Sequence, residues 1–462
     1  MSEDATDSLY PFGFLLGPAP AQVPAHFAAV AFPVPLHIHA GTKIATVEGD
    51  GWAACLTGEL VHPEHPHLDL NQLLTLAVNA PDRQAVLDEF IGRWAFIHTD
   101  GTRSTAQCDA SAMRQIYYAP AAGVLGSHAL LVAEASGEVR HSAIAESRKL
   151  GCPGISTPYA EVYRLPPNLE LTLETGQLRR IFPLRELEPR SPHDAWRFAF
   201  ERAATAAGLF AARGPLAASL TAGRDSRATL LALRSQWPST LFFTYTRGVE
   251  SHDIDCAIAE RIARTLGLTH KRLAYAETPL EPALQATIKR NAYSFHQHRL
   301  ALAYHADEDL PARLHVRSNL LELARSNLFA AERRAGRFTD GLTSPRHLTR
   351  YYCRAGGLPL EDVQLDAFTY AYEQCDLKSA LDYASSWDLF FVEHRMGAWR
   401  SGLIEESDIA FDTVNLFNSR EIISAFMGVP DLERASAHAL KDLWHEHLPQ
   451  LDDIPINPRH LD

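Results

Sequence analysis

The sequence predicts an α/β protein: a mostly β front half, a doubly wound parallel sheet behind it, and a mostly helical end. Three observations predict this. At 462 residues the chain has room for two or three domains. Up to about Arg180, short apolar runs are broken by Gly, Pro and Asp, whereas from Ala195 the apolar spacing becomes helical. After that point strand-like runs alternate with helices, the pattern of a parallel sheet.

In chain order, HFAAVAF, WAACLTGEL, WAFIHTD, GVLGSHALLVAE and LELTLETG read as strand-like runs, with a helical stretch near Asn71 to Leu87. FPLRELEPRSPHD, residues 182–194, is rich in proline and charge and reads as a linker. Ala195 to Arg213 is an alanine-rich helix, and Leu216 to Leu220 and Leu241 to Thr246 are two short buried strands. Asp255 to His270 reads as a helix whose Ile258, Ile262 and Leu266 share one face, stopped by Gly267. From about Glu281 the pattern is predominantly helical.

Composition narrows the function. Forty-three Lys and Arg against 56 Asp and Glu leave −13, a field that repels nucleic-acid backbones. The six cysteines, Cys55, Cys108, Cys152, Cys256, Cys353 and Cys375, show no CxxC spacing, which argues against a zinc ribbon, an iron–sulfur site or a disulfide framework. No segment supplies the roughly 18 uncharged apolar residues of a membrane span, and the start lacks a basic region followed by an apolar run. A soluble cytoplasmic protein with no nucleic-acid or membrane partner is expected. The histidine-rich VHPEHPH and HIH read as surface loops, since Pro63 and Pro66 break any helix there.

The chemistry concentrates in PLAASLTAGRDSRATLLAL. A buried strand runs through a small polar turn, Thr221 to Ser226, into a helix whose Ala228, Leu230, Leu231 and Leu233 face a core. Such a turn aims backbone N–H groups and a helix dipole at one spot, an anion site. Gly223 permits close approach, Thr221 and Ser226 add hydroxyls, and Asp225 is placed to hold a magnesium ion shared with phosphate. No Gly-Lys-Ser/Thr follows, so it is not a Walker A loop.

LTAGRDSR resembles the SGGxDS pyrophosphate loop of N-type ATP pyrophosphatases, in particular that of the asparagine synthetase and β-lactam synthetase family. Thr221 and Ala222 stand where that family has Ser and its first Gly, and Gly223, Asp225 and Ser226 match. The passages at 92–118 and 155–176, with CLTGELVHP at 55–63, are similar to segments of the glutamine amidotransferase domains fused to asparagine synthetases. FDTVNLFNSREIISAFMGVP resembles a late helix of the same family. The resemblance implies a degenerate amidotransferase-like Ntn domain, an α+β sandwich, at 1–182, and an ATP pyrophosphatase domain at 195–462. It implies ATP at Ser219, Thr221, Ala222, Gly223, Arg224, Ser226, Thr244, Tyr245 and Asp255, and Mg2+ at Asp225 and Glu322. In SHDID, either Asp253 caps a helix while Asp255 faces the nucleotide, or the roles are reversed.

The chain departs from the family in three places. A glutaminase of that kind needs an N-terminal cysteine, whereas this chain begins Met1-Ser2, so ammonia release is not expected. HVRSNLLELAR, 315–325, replaces a glycine-rich SGEGSDE loop. Glu322 survives there, and Arg317 and Arg325 either neutralise phosphate as catalytic cations or form a structural ion-pair network. Near the C-terminus, Asn457 lies where the family keeps a lysine, and Lys441 and Arg459 are alternatives off the matching position. Tyr293, His296 or His298 would line the substrate pocket. The expected function is an ATP-dependent C–N ligase that adenylates a small-molecule or peptide carboxylate and passes it to an amine. The alternative is a nucleotide-binding scaffold without turnover, and a homodimer is left open.

Overall fold

The computed structural model describes residues 8–137, 139–144, 146–293, 297–458 and 460. The front half is built on two long strands, Trp52–Val61 and Ile91–Thr99, paired antiparallel from Ala53↔Thr99 to Val61↔Ile91. They form the middle of a six-stranded antiparallel sheet with Ile44–Gly49, Ser104–Cys108, Leu169–Thr172 and Gln177–Arg180. A second six-stranded antiparallel sheet contains Phe14–Leu16, Ala28–Val30, Leu36–Ile38, Tyr117–Ala119, Val124–Gly126 and Tyr163–Arg164.

Alternation along the long strands decides the layering. Cys55, Ala95, Ile97 and Cys108 point one way and meet Phe14, Leu16, Leu36 and Leu125 of the other sheet. Ala54, Leu56, Trp94 and Phe96 point the other way and meet Leu73, Leu74, Ala77 and Leu87 of two helices. The strands are thus buried on both faces, which is why WAACLTGEL reads as a run rather than an alternation.

The helical stretch expected near 71–87 is two helices, Leu70–Asn79 and Arg83–Glu89. Asp69 caps the first in a capping box, and Asp82 caps the second by accepting from Ala85 N. GVLGSHALLVAE, read as one strand-like run, is instead the strand Val124–Gly126 followed by the helix Ala129–Ala135. A short apolar run without alternation suits either element, and here its Leu131 and Val132 pack on Leu15, Tyr117 and Val124. The order of layers is helix, sheet, sheet, helix.

The linker ends at Ser191, which caps the helix Pro192–Arg213 by accepting from Asp194 N, with Pro192 in the first turn. Beyond it lies a five-stranded parallel sheet rather than two strands, ordered His270–Ala274, Thr240–Thr246, Leu216–Ser219, Leu314–Val316, Thr413–Val414. The additional strands escape pattern reading because HKRLA is polar and the last two are three and two residues long. The helix expected over 255–270 runs instead from Glu250 to Leu266. It ends where Gly267 takes φ 66, so His270 opens a strand. Strand order reverses between Leu216–Ser219 and Leu314–Val316, and at such a switch point the loops leaving the two strands part to form a crevice.

The two halves meet across buried polar contacts. Arg93 donates to both Asp408 oxygens at 2.6 Å and to Asp412 at 3.0 Å. Asn418 Nδ2 reaches Gly92 O at 2.6 Å and Asp109 Oδ1 at 2.7 Å. The division is not clean, since Ala371 and Cys375, at the end of the helix Asp362–Gln374, pack into the core between the front sheets. No helix among the described residues is long and apolar enough to cross a membrane.

His315 lies in the parallel sheet, fully buried beside Phe243, Tyr304 and Phe411, with neither ring nitrogen partnered. Burial, and then Arg317, pushes its pKa well below the usual value. A depressed histidine stabilises the fold above pH 6.5, and that stability is lost as the unfolded chain takes up a proton on acidification. The stability advantage of His315→Phe over the parent should therefore grow by about 1.4 kcal/mol per pH unit below 6.5. Urea unfolding between pH 7 and 5 reads this, and parallel curves would refute it.

Candidate active site

The turn after the central strand lies at the switch point. Leu220 is held in the sheet by donating its amide to Phe243 O at 2.9 Å. The chain then bends through Thr221, Ala222 and Gly223 into the helix Arg224–Ala232, which starts without a side-chain cap. Its first-turn N–H groups and its dipole therefore make this end a seat for negative charge.

The three amides before the helix are already used. Thr221 N–H donates to Ser226 Oγ at 3.2 Å, Ala222 N–H to Asp255 Oδ1 at 3.0 Å and Gly223 N–H to Thr221 Oγ1 at 3.1 Å. Thr221, Ser226 and Asp255, expected at the nucleotide, brace the bend. Burial pushes the Asp255 carboxyl up, against the pull of the Ala222 amide. Asp253 accepts from Thr246 Oγ1 at 2.9 Å and Arg272 at 3.0 Å within the first turn of its helix, so Asp255 is the acid that faces the bend.

Thr244 is a second brace, its Oγ1 donating to Leu220 O at 2.6 Å and meeting His270 Nε2 at 2.8 Å. Ser219 sits half-buried at the strand end. Tyr245 is half-buried, its ring centroid 5.7 Å from His252 and 5.9 Å from Tyr275, an aromatic group beside the bend. The C-terminal segment returns here too, with Asn457 donating its amide to Ala222 O at 3.1 Å.

The loop leaving Leu314–Val316 forms the other wall. The glycines of the family loop are missing, yet the backbone still enters the left-handed region, at Leu320 with φ 118 and Ser326 with φ 40. This shape brings Arg325 onto Asp225, with Nη2 at 2.6 and 2.8 Å from the two oxygens and Nε at 3.1 Å from Oδ1. Burial pushes the Asp225 carboxyl up, Arg325 pulls it down and Glu322 opposes Arg325. Glu322 Oε2, Arg317 Nη1, Arg224 Nε and Arg400 Nε are buried without partners.

Arg400 was invisible to sequence reading, because it lies far along the chain in no motif. It comes in from a helix to act on Glu322 and Arg317. Four guanidiniums, those of Arg224, Arg317, Arg325 and Arg400, thus surround two carboxylates in an otherwise acidic protein.

This donor set does not suit a divalent cation. Both Asp225 oxygens accept from Arg325, where a magnesium ion would need them open. Among the described residues no three His, Cys, Asp or Glu are grouped to hold a metal. The expectation of Asp225 and Glu322 as magnesium ligands is not what the geometry offers.

The expected substrate residues are not brought to the bend. Tyr293 packs against the front half, 6.0 Å from the Tyr117 ring, with its hydroxyl buried and unpartnered. His298 is half-buried at the start of the helix His298–His305, and His296 lies outside the described residues. Lys441 lines a crevice with Arg224, Arg227 and Trp444, and Arg459 is also outside the described residues.

No family model and no curated protein matches the chain. Among solved structures, a glutamine phosphoribosylpyrophosphate amidotransferase from B. subtilis complexed with ADP and GMP is similar at 8% identity and a TM-score of 0.24, over 60% of this chain and 64% of that one. A structure of the allosteric regulatory enzyme of purine biosynthesis gives 10% identity and a TM-score of 0.25, over 58% and 76%. A glutamine-dependent NAD+ synthetase from Acinetobacter baumannii, in complex with ADP, gives 14% and 0.19, over 53% and 54%. The chain spans less than two thirds of the first and third of these, and likenesses this faint carry no weight beside the architecture itself, which is α/β with antiparallel sheets in front and a doubly wound parallel sheet behind.

Proposed function

We propose that this protein is an ATP-dependent ligase of the AMP- and pyrophosphate-forming kind, similar to asparagine and β-lactam synthetases. The observation that carries the reading is the uncapped helix end at the switch point, which begins with Arg224 and is met by Arg325. Guanidiniums beside a helix dipole suit a triphosphate tail, and the Tyr245, His252 and Tyr275 rings suit a base.

In this reading a substrate carboxylate attacks the α-phosphorus of ATP, pyrophosphate leaves, and an amine then displaces AMP from the acyl-adenylate. The chain's part is positioning and charge neutralisation by guanidiniums, with no covalent catalyst. The amine is not supplied by the front half. All six cysteines are buried, and burial pushes the Cys55 thiol up to about 12, so no thiolate nucleophile is offered there. The amine comes from a second substrate or from the same molecule, as in peptide tailoring.

The test is pyrophosphate release from ATP over a panel of carboxylates and amines. Release that depends on both, with one amide formed per AMP, is the expected result. Nucleotide binding without turnover across the panel would favour the scaffold reading.

A further inference from the structure

Arg400 closes an eleven-residue π-helical stretch, Phe390–Arg400, a rare conformation that recurs at functional sites. Its side chain is 8% exposed and lies over the Trp399 ring at 4.4 Å. With the Asn319 amide oxygen turned toward it, that oxygen accepts from Nη1 at 3.3 Å and Nη2 at 3.0 Å. Among the described residues no carboxylate comes within 4.0 Å of the guanidinium. Arg317, which reaches the Tyr304 hydroxyl, is similarly without an ion pair.

A buried guanidinium with no carboxylate in direct contact is costly; Glu322 attracts Arg400 only from beyond ion-pair distance, and a neutral amide oxygen offsets only part of that cost. Two such groups acting on one another, each with a buried donor unfilled, cost more still. Stability alone does not keep them, whereas an anionic ligand would fill both.

We propose that Arg400 and Arg317 form a seat for an oxyanion of the ligand, separate from the helix end that Asp225 and Arg325 guard. The shared chemistry is a singly or doubly charged oxyanion, either a phosphoryl group or the carboxylate to be activated. The inference deepens the ligase reading by assigning its anion-binding residues.

Arg400→Met keeps the stem and removes the charge. Because no carboxylate loses a direct ion pair, and Glu322 keeps Arg317 and Arg325 nearby, the ligand-free variant should melt no more than about 2 °C below the parent. Calorimetry with inorganic pyrophosphate, and separately with acetate, succinate and glutarate, should show at least one probe binding tenfold or more weaker to the variant, with Arg400→Lys intermediate. A loss confined to pyrophosphate assigns phosphoryl oxygens, and a loss confined to a carboxylate assigns the acid. Equal affinities in parent and variant, no binding of any probe by the parent, or a variant melting well below it would overturn the proposal. If the pyrophosphate loss is seen while no acid and amine ever yield turnover, the ligase reading fails and the seat stands.

Discussion

Arg325→Met is expected to lower ATP-driven pyrophosphate release about 100-fold, the usual scale for removing one preorganised charge donor. The fork of Arg325 holds Asp225 at the mouth of the helix end, where the ligase reading seats the triphosphate. Asp225→Ala should cost about as much, because it frees Arg325 from the position that makes it useful. The double variant should then be little worse than either single one, as happens when two residues act as a unit. Side chains only 15% and 21% exposed mean that each single variant strands a mostly buried charge and loses some stability, the double variant less, so release is compared at a temperature where all three are folded. Multiplicative losses would show that the two residues act separately. Unchanged pyrophosphate output in Asp225→Ala would remove the site assignment.

The largest stability effect is expected at the seam between the halves. Asp408→Ala leaves Arg93, 2% exposed, without its bidentate partner, keeping Asp412 at 3.0 Å and the Met113 carbonyl at 2.9 Å. Breaking a buried pair in this way costs roughly 3–5 kcal/mol, and Asp412 should hold the loss near the lower figure. The Asp408 carboxyl is itself pushed up by burial against the pull of Arg93. A double change, Arg93→Met with Asp408→Leu, should therefore recover most of the loss, since it removes both desolvation penalties. Denaturant unfolding of the three variants decides this; a double variant as weak as Asp408→Ala would mean that the pair orders the seam rather than merely neutralising itself.

Much of the fold was legible because it depends on local pattern. Apolar runs of strand length bounded by Gly and Pro marked the front sheets, and a Ser-Pro start marked the helix Pro192–Arg213. What pattern reading missed had little local signal. Thr413–Val414 is a strand only because Val316 lies beside it, and HKRLA is one only because Thr240–Thr246 offers an edge. The GVLGSHALLVAE run failed for the opposite reason, having apolar content that serves a helix or a strand equally well.

The bend from Thr221 to Ser226, its place between a buried strand and a helix, and the nearby acids were determined by the sequence alone, because each arises from neighbours in the chain. Which of those groups remain open was decided only by the tertiary structure. Asp255 comes across to take the Ala222 amide, Arg325 to take Asp225, and Arg400 from a π-helix to face Glu322. Hydrogen bonds and charges are satisfied by whatever is near in space, and nearness across a parallel sheet is set by how its strands are ordered, which no local spacing encodes.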